Sequence, residues 1–348
     1  MALVALIGDT HAGCRSESTT FFDNADAFYR DVFFPTLDEH NIKTVVHLGD
    51  LVDRRKYIAF VTANRLRRGF IDPLLDRGME LIIIPGNHDI PYRNMVSVNA
   101  QREILPNHPK VRVVDAPQLW NLHERMVLML PWICDENRGR SLEMIKARGT
   151  RYAIGHLELA GFEMYRGSVN EHGMSPSLFT GYDKVFSGHY HHRSEKGNIH
   201  YLGAPFEMTW SDYSDPRGFH VLDTETMETA YVPNPNTVFA KVHYDDEAGN
   251  PAAPDGVAGK VVKLVVKNKT NPLTYDMFVD SLERVCADVQ VVEDHHHADD
   301  EAVEDIVQPI SDTLELLSKC VEDSGISCDK PALNRLLAEL YQRAQEVE

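Results

Sequence analysis

Residues 3–11, Leu-Val-Ala-Leu-Ile-Gly-Asp-Thr-His, decide the fold class of this chain. The five apolar residues predict a first strand. A glycine, a carboxylate and an imidazole follow directly where that strand ends. In an open α/β sheet the carboxyl ends of the strands converge on one crevice, which is where ligands bind. The stretch therefore predicts an α/β sheet with a polar site at its carboxyl edge.

The same arrangement recurs four times along the chain. Short polar motifs follow predicted strands at 49–54 (Gly-Asp-Leu-Val-Asp-Arg), 86–89 (Gly-Asn-His-Asp), 155–156 (Gly-His) and 188–191 (Gly-His-Tyr-His). Each contains a glycine, which lets the backbone turn sharply without a Cβ penalty. One such motif alone is usually a turn with a surface histidine. Five of them at five strand ends predict a shared site.

The side chains in these motifs are typical of a metal centre. Carboxylate, amide oxygen and imidazole are ligands suited to manganese, iron or zinc, and they differ from a thiolate site. Two divalent ions about 3.5–4 Å apart can clamp a phosphate and activate water between them. We therefore expect phosphoester chemistry at this edge of the sheet.

Residues 1–235 alternate short apolar stretches with helical patterns, which predicts a layered α/β domain. The helical patterns lie near 22–39 and 63–77. The close spacing of the later strands suggests a second, more antiparallel sheet. The predicted strands are 3–7, 44–48, 81–84, 126–130, 152–154, 184–186, 199–202 and 219–222.

The remainder of the chain is predicted to form three smaller parts. Two prolines and two asparagines in 232–236 mark a boundary. Residues 236–293 then show a strand, a strand, a helix and a strand, which predicts a small α+β domain. Residues 294–305 are acidic, include three consecutive histidines at 295–297 and are predicted to be a linker. Residues 306–348 predict two amphipathic helices, the last with an apolar face over 333–344.

Composition is that of an ordinary soluble globular protein, with 348 residues of which 43% are hydrophobic and 25% charged. No apolar run approaches the roughly 20 residues of a membrane helix, and the N-terminus is interpreted as a strand and not a signal peptide. The five cysteines show no metal-type spacing, so we expect reduced thiols in a cytoplasmic protein.

Charge excludes an overall basic nucleic-acid-binding surface. The net charge is −18, and residues 236–348 alone carry 10 basic and 23 acidic residues. A local basic patch stays compatible with this balance.

The five motifs resemble those of the calcineurin-like metallophosphoesterase superfamily. Within it the chain is most similar to the SbcD-type DNA double-strand-break repair nucleases, especially bacteriophage recombination endonuclease subunits. The resemblance covers about residues 1–220. It implies a four-layer α/β sandwich of two mixed sheets flanked by helices, with a small capping domain and C-terminal helices.

The resemblance also implies a set of site residues. Two metal ions would be bound, with manganese as the expected metal and magnesium as the alternative, and Asp50 would bridge them. His88 would not be a ligand but would face the scissile phosphate, where it stabilises charge or protonates the leaving oxygen. Asp53 is predicted to pair with His88, the alternative being a salt bridge to Arg54 or Arg55. The expected ligands are Asp9, His11 and His191 for one ion and Asn87, His156 and His189 for the other.

Further features favour a nucleic-acid substrate. The basic run 54–56 directly follows the bridging carboxylate, where a phosphate backbone would approach. Arg65, Arg67 and Arg68 either extend this patch or form a solvated helix face balanced by acids. Asp89 follows Asn-His, as in the nuclease branch. Trp210 and Tyr213, in a segment that also resembles the SbcD-type pattern, either stack on an unpaired base or pack against the protein.

The resemblance implies a two-metal-dependent DNA exonuclease and endonuclease that is the nuclease subunit of a recombination or repair complex. Its expected partners are DNA, an SbcC-type coiled-coil ATPase and a second copy of the chain. The apolar face over 333–344 would dock on the ATPase or pack intramolecularly. No membrane association is expected, and a phage-encoded chain would act in the host cytoplasm. The alternatives are a phosphatase or nucleotide phosphodiesterase and a non-catalytic subunit.

Overall fold

The computed structural model describes residues 2–248 and 254–293, together with Val321, Lys330 and Leu333. The chain divides into two compact units, 1–297 and 298–348. The three described residues of the second unit are helical. The predicted linker at 294–305 and nearly all of the predicted terminal helices lie outside the described residues.

Two six-stranded sheets form the body of the first unit. The first has the order β14-β13-β1-β2-β3-β4 and the second the order β11-β12-β10-β7-β6-β5. The first comprises β1 (Leu3–Ile7), β2 (Thr44–His47), β3 (Glu80–Ile83), β4 (Val111–Val113), β13 (Gly218–Asp223) and β14 (Thr229–Pro233). The second comprises β5 (Gln118–Leu122), β6 (Arg125–Leu130), β7 (Tyr152–His156), β10 (Lys184–Gly188), β11 (Ser194–Lys196) and β12 (Ile199–Tyr201).

Successive side chains of a central strand point to opposite faces of its sheet, so each central strand contributes to two hydrophobic cores. In β1, Val4 and Leu6 belong to the core between the two sheets, whereas Ala5 and Ile7 belong to the core beneath the helices of the first sheet. The helix Arg138–Ala147 covers the outer face of the second sheet through Ile145. The order helix, sheet, sheet, helix confirms the predicted four-layer sandwich.

The helices that cover the first sheet are two long segments, each interrupted by a π-helical turn. One runs through Thr19–Phe28, Tyr29–Phe33 and Phe34–Glu39, and the other through Phe60–Leu66, Arg67–Ile71 and Asp72–Asp76. They match the helical patterns predicted from sequence. The remaining short helical segments of the two-sheet body are Cys14–Glu17, Ala100–Ile104, Pro176–Phe179 and Trp210–Asp212.

The prediction of a more antiparallel second sheet was wrong. Among the described strands, both sheets contain three parallel and two antiparallel pairings. The close spacing of these strands suggested antiparallel neighbours. Of β10, β11 and β12, only β11 and β12 pair in this way, and the hairpin that they form places β12 parallel to β10. The predicted strand at 219–222 belongs to the first sheet, where β13 pairs antiparallel with β1.

A separate three-stranded sheet follows, with all its strands parallel. It consists of β15 (Phe239–Asp245), β16 (Val261–Asn268) and β17 (Asp288–Glu293), with the helix Pro272–Glu283 between the last two. Val262, Leu264 and Val266 pack with Tyr275 and Phe278 of that helix. This is the element order predicted for 236–293, while the domain boundaries at 235, 293 and 305 stay predictions.

In the part of the chain that the structure describes, no helix is long and apolar enough to cross a membrane. Cys14, Cys134 and Cys286 are unpaired thiols.

Candidate metal centre

The five motifs meet at the carboxyl edges of the two sheets. β1, β2 and β3 are parallel neighbours in the first sheet, so their following loops lie side by side. β7 and β10 are parallel neighbours in the second sheet and bring their ends to the same place. All seven ligands predicted from sequence come together there, and six of them form two groups with a further carboxylate between them.

Asp9, His11 and His191 form the first group, with one donor atom of each lying within 4.8 Å of the others. His11 Nε2 and His191 Nε2 are 3.1 Å apart. Asp9 Oδ1 accepts a hydrogen bond from the His189 amide at 2.9 Å, whereas its buried Oδ2 has no protein partner. Loops after β1 and β10 therefore supply three donors to one point.

Asn87, His156 and His189 form the second group. Asn87 Oδ1 lies 3.0 Å from His156 Nε2 and 2.9 Å from His189 Nδ1. His156 Nδ1 donates to the Leu48 carbonyl at 2.7 Å, which leaves Nε2 facing the group. Asp50 Oδ2 lies 3.4 Å from His156 Nε2 and 3.5 Å from His11 Nε2, so this carboxylate stands between both groups.

The donor set fits two divalent cations. Two imidazole nitrogens face each other in the first group, and an amide oxygen faces two imidazoles in the second. Asp9 Oδ2 and His191 Nδ1 are buried without a hydrogen-bond partner. Buried polar atoms are nearly always satisfied, and a bound ion is one explanation for exceptions. Oxygen and imidazole donors match manganese, iron or zinc.

Four of the candidate ligands have a strained backbone. Asp9, His11, Asp50 and His189 have φ angles of 53°, 40°, 53° and 90°, in the left-handed region that few non-glycine residues adopt. Such strain clusters at functional sites because the surrounding structure must enforce it. A Cβ on Gly86 would lie 2.2 Å from Asp50 Oδ1, so only glycine lets the third motif approach the bridging carboxylate.

Several candidate ligands are ionisable, buried and close to one another, and this shifts their pKa values. Burial would lower the pKa of His156, but the charge of Asp50 and its hydrogen bond outweigh this and raise it to about 9. Burial, reinforced by the charge of Asp50, raises the pKa of Asp9 to about 7 despite the opposing charge of His156. Burial lowers the pKa of His189 to about 3, and neighbouring His156 acts in the same direction.

His88 lies beside the two groups, and its partner differs from the sequence prediction. Its Nδ1 donates to the backbone carbonyl of Asp53 at 2.6 Å, and not to the carboxylate. The Asp53 carboxylate instead lies 3.5 Å from His11 Nδ1. The alternative pairings of Asp53 with Arg54 or Arg55 are not among its described ion pairs. The His88 amide donates to Asp50 Oδ1 at 2.8 Å, so both ends of the residue are held.

Two buried side chains behind the ligands escaped the sequence analysis as supports. Asp89 accepts hydrogen bonds from the amides of Leu51 and Gly86 at 2.9 and 2.8 Å, which ties the second motif to the third. His47 Nδ1 accepts from the Gly49 amide at 3.3 Å, and its Nε2 lies 3.0 Å from Thr10 Oγ1. His47 lies two residues before the second motif, a position that could have indicated this role.

A cavity of about 410 Å³ is lined by His88 and by ligands of both groups. Tyr165, from the hairpin formed by β8 (Phe162–Tyr165) and β9 (Ser168–Asn170), also lines it. Trp132 packs against the rings of His156 and His189, at centroid distances of 5.9 and 5.1 Å. Trp132 follows the end of β6, so the strand-end rule could have found it. No motif indicated the hairpin.

The two arginine clusters differ in their surroundings. Arg65 pairs with Asp23 and Asp26 at 3.0 and 2.6 Å. Arg67 pairs with Asp72 at 2.9 Å. These contacts favour the interpretation of a solvated helix face balanced by acids.

The first cluster stands closer to the metal-ligand groups. Arg54 lies 3.5 Å from Glu17, and Arg55 is half-buried. Burial, followed by the charge of Arg93, lowers the pKa of Arg55, and the charge of Asp50 acts in the opposite direction. Arg55 is therefore the arginine of the run 54–56 that the structure relates electrostatically to the bridging carboxylate.

Trp210 and Tyr213 favour the packing interpretation. The Trp210 ring lies 4.5 Å from that of Phe239, and its Nε1 donates to Gln290 Oε1 at 2.9 Å. Lys241 Nζ lies 4.9 Å from the Tyr213 ring. Both aromatic side chains therefore contact the three-stranded sheet.

Solved structures similar to this chain include a novel archaeal phosphodiesterase, 14% identical, with a TM-score of 0.36, covering 67% of this chain and 99% of that one. Another is the phosphopantetheinyl hydrolase of Mycobacterium tuberculosis, 13% identical, with a TM-score of 0.35, covering 59% of this chain and 90% of that one.

Two sequence comparisons are more specific. Exonuclease subunit 1 of enterobacteria phage T4 is 32% identical over 349 aligned positions, which cover 98% of both chains. Residues 2–193, more than half of this chain, match the family of calcineurin-like phosphoesterases. These residues contain every candidate ligand described above, and the chain belongs to the calcineurin-like phosphoesterase family.

Proposed function

We propose that this chain is a metal-dependent DNA nuclease that hydrolyses phosphodiester bonds as an exonuclease and endonuclease. The observation that carries the proposal is that five of the seven candidate ligands line one cavity together with His88, whose Nδ1 is held by the Asp53 carbonyl. A scaffold protein with structural metals has no need for such a histidine. The similarity to exonuclease subunit 1 over the whole chain supports a nuclease over other phosphoesterases.

The metal ligands would be divided as the geometry groups them. Asp9, His11 and His191 would hold one ion, Asn87, His156 and His189 the other, and Asp50 both. We propose manganese as the metal, with magnesium as the alternative. Two divalent ions supply Lewis acidity for the phosphate and lower the pKa of water.

The chain's own residues position the reacting groups. The Asp53 carbonyl holds His88 Nδ1 as a donor, which leaves Nε2 for the substrate. From this place the imidazolium form of His88, protonated at both ring nitrogens, can donate a hydrogen bond from Nε2 to a phosphate oxygen or to the leaving oxygen, where negative charge develops. Arg55, which is half-buried and interacts electrostatically with Asp50, would attract the phosphate backbone.

The chain would act on DNA together with a second subunit, because its phage T4 relative is named a subunit of an exonuclease. An SbcC-type ATPase is the partner we propose, docked through residues 306–348. We also propose a homodimer. A phage-encoded chain of this function would work in the host cytoplasm.

The test is cleavage of end-labelled linear duplex and single-stranded DNA with manganese, magnesium or EDTA. His88→Ala should lower cleavage by about a hundredfold or more, the usual contribution of general acid–base catalysis. His40→Ala, at an exposed histidine outside the site, is the matched control and should cleave like the wild type.

Manganese-dependent cleavage that His88→Ala retains in full would contradict the assignment of His88. Cleavage of a small aryl phosphomonoester without any cleavage of DNA would favour the phosphatase alternative. Competition by linear DNA separates a nuclease from a small-molecule phosphodiesterase, because only a nuclease binds the DNA.

A further inference from the structure

A cluster of buried charged side chains lies close to the candidate ligand His191 and is not used in the function proposed above. Asp212, Asp215 and Arg217 are 0%, 6% and 3% exposed. Arginine and aspartate are almost never this buried unless they are paired. Asp212 is the last residue of the short helix Trp210–Asp212, and Asp215 and Arg217 lie between this helix and β13.

Arg217 joins this cluster to a metal ligand. Its Nη2 donates to Asp212 Oδ1 and to Asp215 Oδ2, each at 2.8 Å. Its Nη1 donates to the backbone carbonyl of His191. The same carbonyl accepts the Ala204 amide at 3.0 Å, so the backbone of His191 is held from two sides.

Asp215 reaches the residue after the ligand. Its Oδ2 accepts a hydrogen bond from His192 Nδ1 at 2.9 Å, and the His192 amide donates to the Met164 carbonyl at 3.2 Å. Arg166 Nη2 lies 3.8 Å from Asp215 Oδ1. The carboxylate therefore lies between the ligand loop and the hairpin that lines the cavity.

We propose that Arg217 and Asp215 are positioning residues that fix the backbone at 191–192 and so hold His191 for its metal ion. The inference rests on the proposed metal centre. His191 needs such support because its only described side-chain contacts are with the rings of His11 and Tyr165, and its Nδ1 is buried without a partner. Partners behind a ligand commonly set its orientation and the affinity of the site.

The guanidinium geometry explains why arginine is used here. A planar fork can serve two carboxylates and a carbonyl at once, which the ammonium of lysine can do only in part. A purely structural ion pair would stabilise the fold without any effect on one metal ion in particular. The two explanations therefore differ in what manganese binding should show.

The experiment is a titration of the full chain with manganese. Calorimetry measures the heat of binding, and electron paramagnetic resonance measures the concentration of free Mn²⁺. The wild type should bind two ions. Arg217→Met should bind one of them about tenfold to a hundredfold more weakly, the usual effect of losing such a partner, with the second ion unchanged. Arg217→Lys should restore part of the affinity.

Asp115→Asn is the matched control. Asp115 also forms a two-point ion pair, with Arg102 at 2.7 and 2.9 Å, but neither residue lines the cavity. Its manganese binding should equal that of the wild type. If Arg217→Met does not fold, Asp215→Asn, which keeps the side-chain shape, should show the same selective loss.

Binding of both ions with wild-type affinity by folded Arg217→Met or Asp215→Asn would overturn the inference. Equal weakening of both ions would also overturn it, since that indicates a general loss of structure. Failure of the wild type to bind manganese would overturn the proposed metal centre and this inference with it, so the wild-type titration distinguishes the two failures.

Discussion

The ligand loops and the three-stranded sheet use buried side chains in opposite ways. The loops bury charged groups in a strained backbone, since Asp9 and Asp50 are 0% and 2% exposed and both have a φ angle of 53°. The sheet buries apolar residues such as Leu264 and Val262 against one helix in regular geometry. Buried charge costs stability unless it is paired or binds a metal, whereas apolar burial stabilises. Substitutions in the ligand loops should therefore affect metal binding and activity more than stability. Substitutions in the three-stranded sheet should affect stability more than metal binding and activity.

The largest effect is expected for Asp50→Asn. Loss of the shared carboxylate should remove several kcal/mol of transition-state stabilisation, or about two to three orders of magnitude in DNA cleavage. Above about pH 9, where His11 and His156 lose the protons that pair with Asp50, the metal-free variant should be at least as stable as the wild type, because an unpaired buried charge is gone. Cleavage assays and thermal unfolding in EDTA measure both. Manganese should raise the Tm of the wild type more than that of the variant.

A large fall in the Tm of Asp50→Asn in EDTA above about pH 9 would contradict the comparison, since the ligand loops would then contribute to stability without any pairing of Asp50 with protonated histidines. Asn87→Asp is a second variant for the same experiment. It adds a charge to the same place, and we expect it to lower the Tm in EDTA.

Leu264→Ala should show the opposite pattern. Leu264 is fully buried in the three-stranded sheet, so its truncation should cost about 2–5 kcal/mol of unfolding free energy. Manganese affinity and the activity of the folded protein should stay unchanged. Denaturant unfolding and metal titration measure this. Val265→Ala, at a half-buried position of the same strand, should cost less.

The two arginine clusters sharpen the comparison at the protein surface. Arg55→Ala should weaken DNA binding and reduce the salt dependence by about one phosphate contact. Arg65→Ala should leave both nearly unchanged, because Arg65 already pairs with two carboxylates on an exposed helix face. Fluorescence anisotropy over a salt series tests this. Equal effects of the two substitutions would restore the interpretation of one continuous basic patch.

The smallest effect concerns Glu207, which connects the two regions. It is buried and accepts the amides of Val238 and Phe239 at 2.7 and 3.0 Å. Burial raises its pKa above the usual value, although these hydrogen bonds oppose the shift. A raised pKa stabilises the fold below the usual pKa and loses that contribution as pH rises through the folded value.

The unfolding free energy of the wild type, relative to Glu207→Gln, should therefore fall as the pH rises above the usual pKa of glutamate. Denaturant unfolding at several pH values measures the difference. A rise over that range would show that the two amide hydrogen bonds, and not burial, dominate the ionisation of Glu207.

Much of the metal centre could be predicted from sequence because ligand positions are tied to strand ends. Strands follow from local apolar runs, and their parallel packing brings the motifs together. The partner of His88 could not be found in this way. It is a backbone carbonyl, which every residue has, so the identity of Asp53 carries no signal for it.

The order of the strands in the second sheet and the ion pairs of the surface arginines could not be predicted from sequence, because both depend on residues far apart in the chain. The insertion of β12 between β10 and β11 depends on contacts across the second sheet and not on local spacing. The partners of Arg65 lie about forty positions earlier in the chain. Sequence patterns describe neighbours along a helix or strand, so they left both interpretations of the arginine cluster open.

The place of β1 in the middle of the first sheet has a consequence for protein synthesis. β1 lies between β2 and β13, and Leu3 pairs with Asp223. At about 5–20 residues per second, roughly 10–45 seconds separate the synthesis of these two partners. His191, the last candidate ligand in the chain, is also synthesised late. For most of that time Asp9 and His11 have therefore been made but the candidate site is incomplete. Metal binding at the complete candidate site would therefore come late in the synthesis of each chain, after His191 has been made.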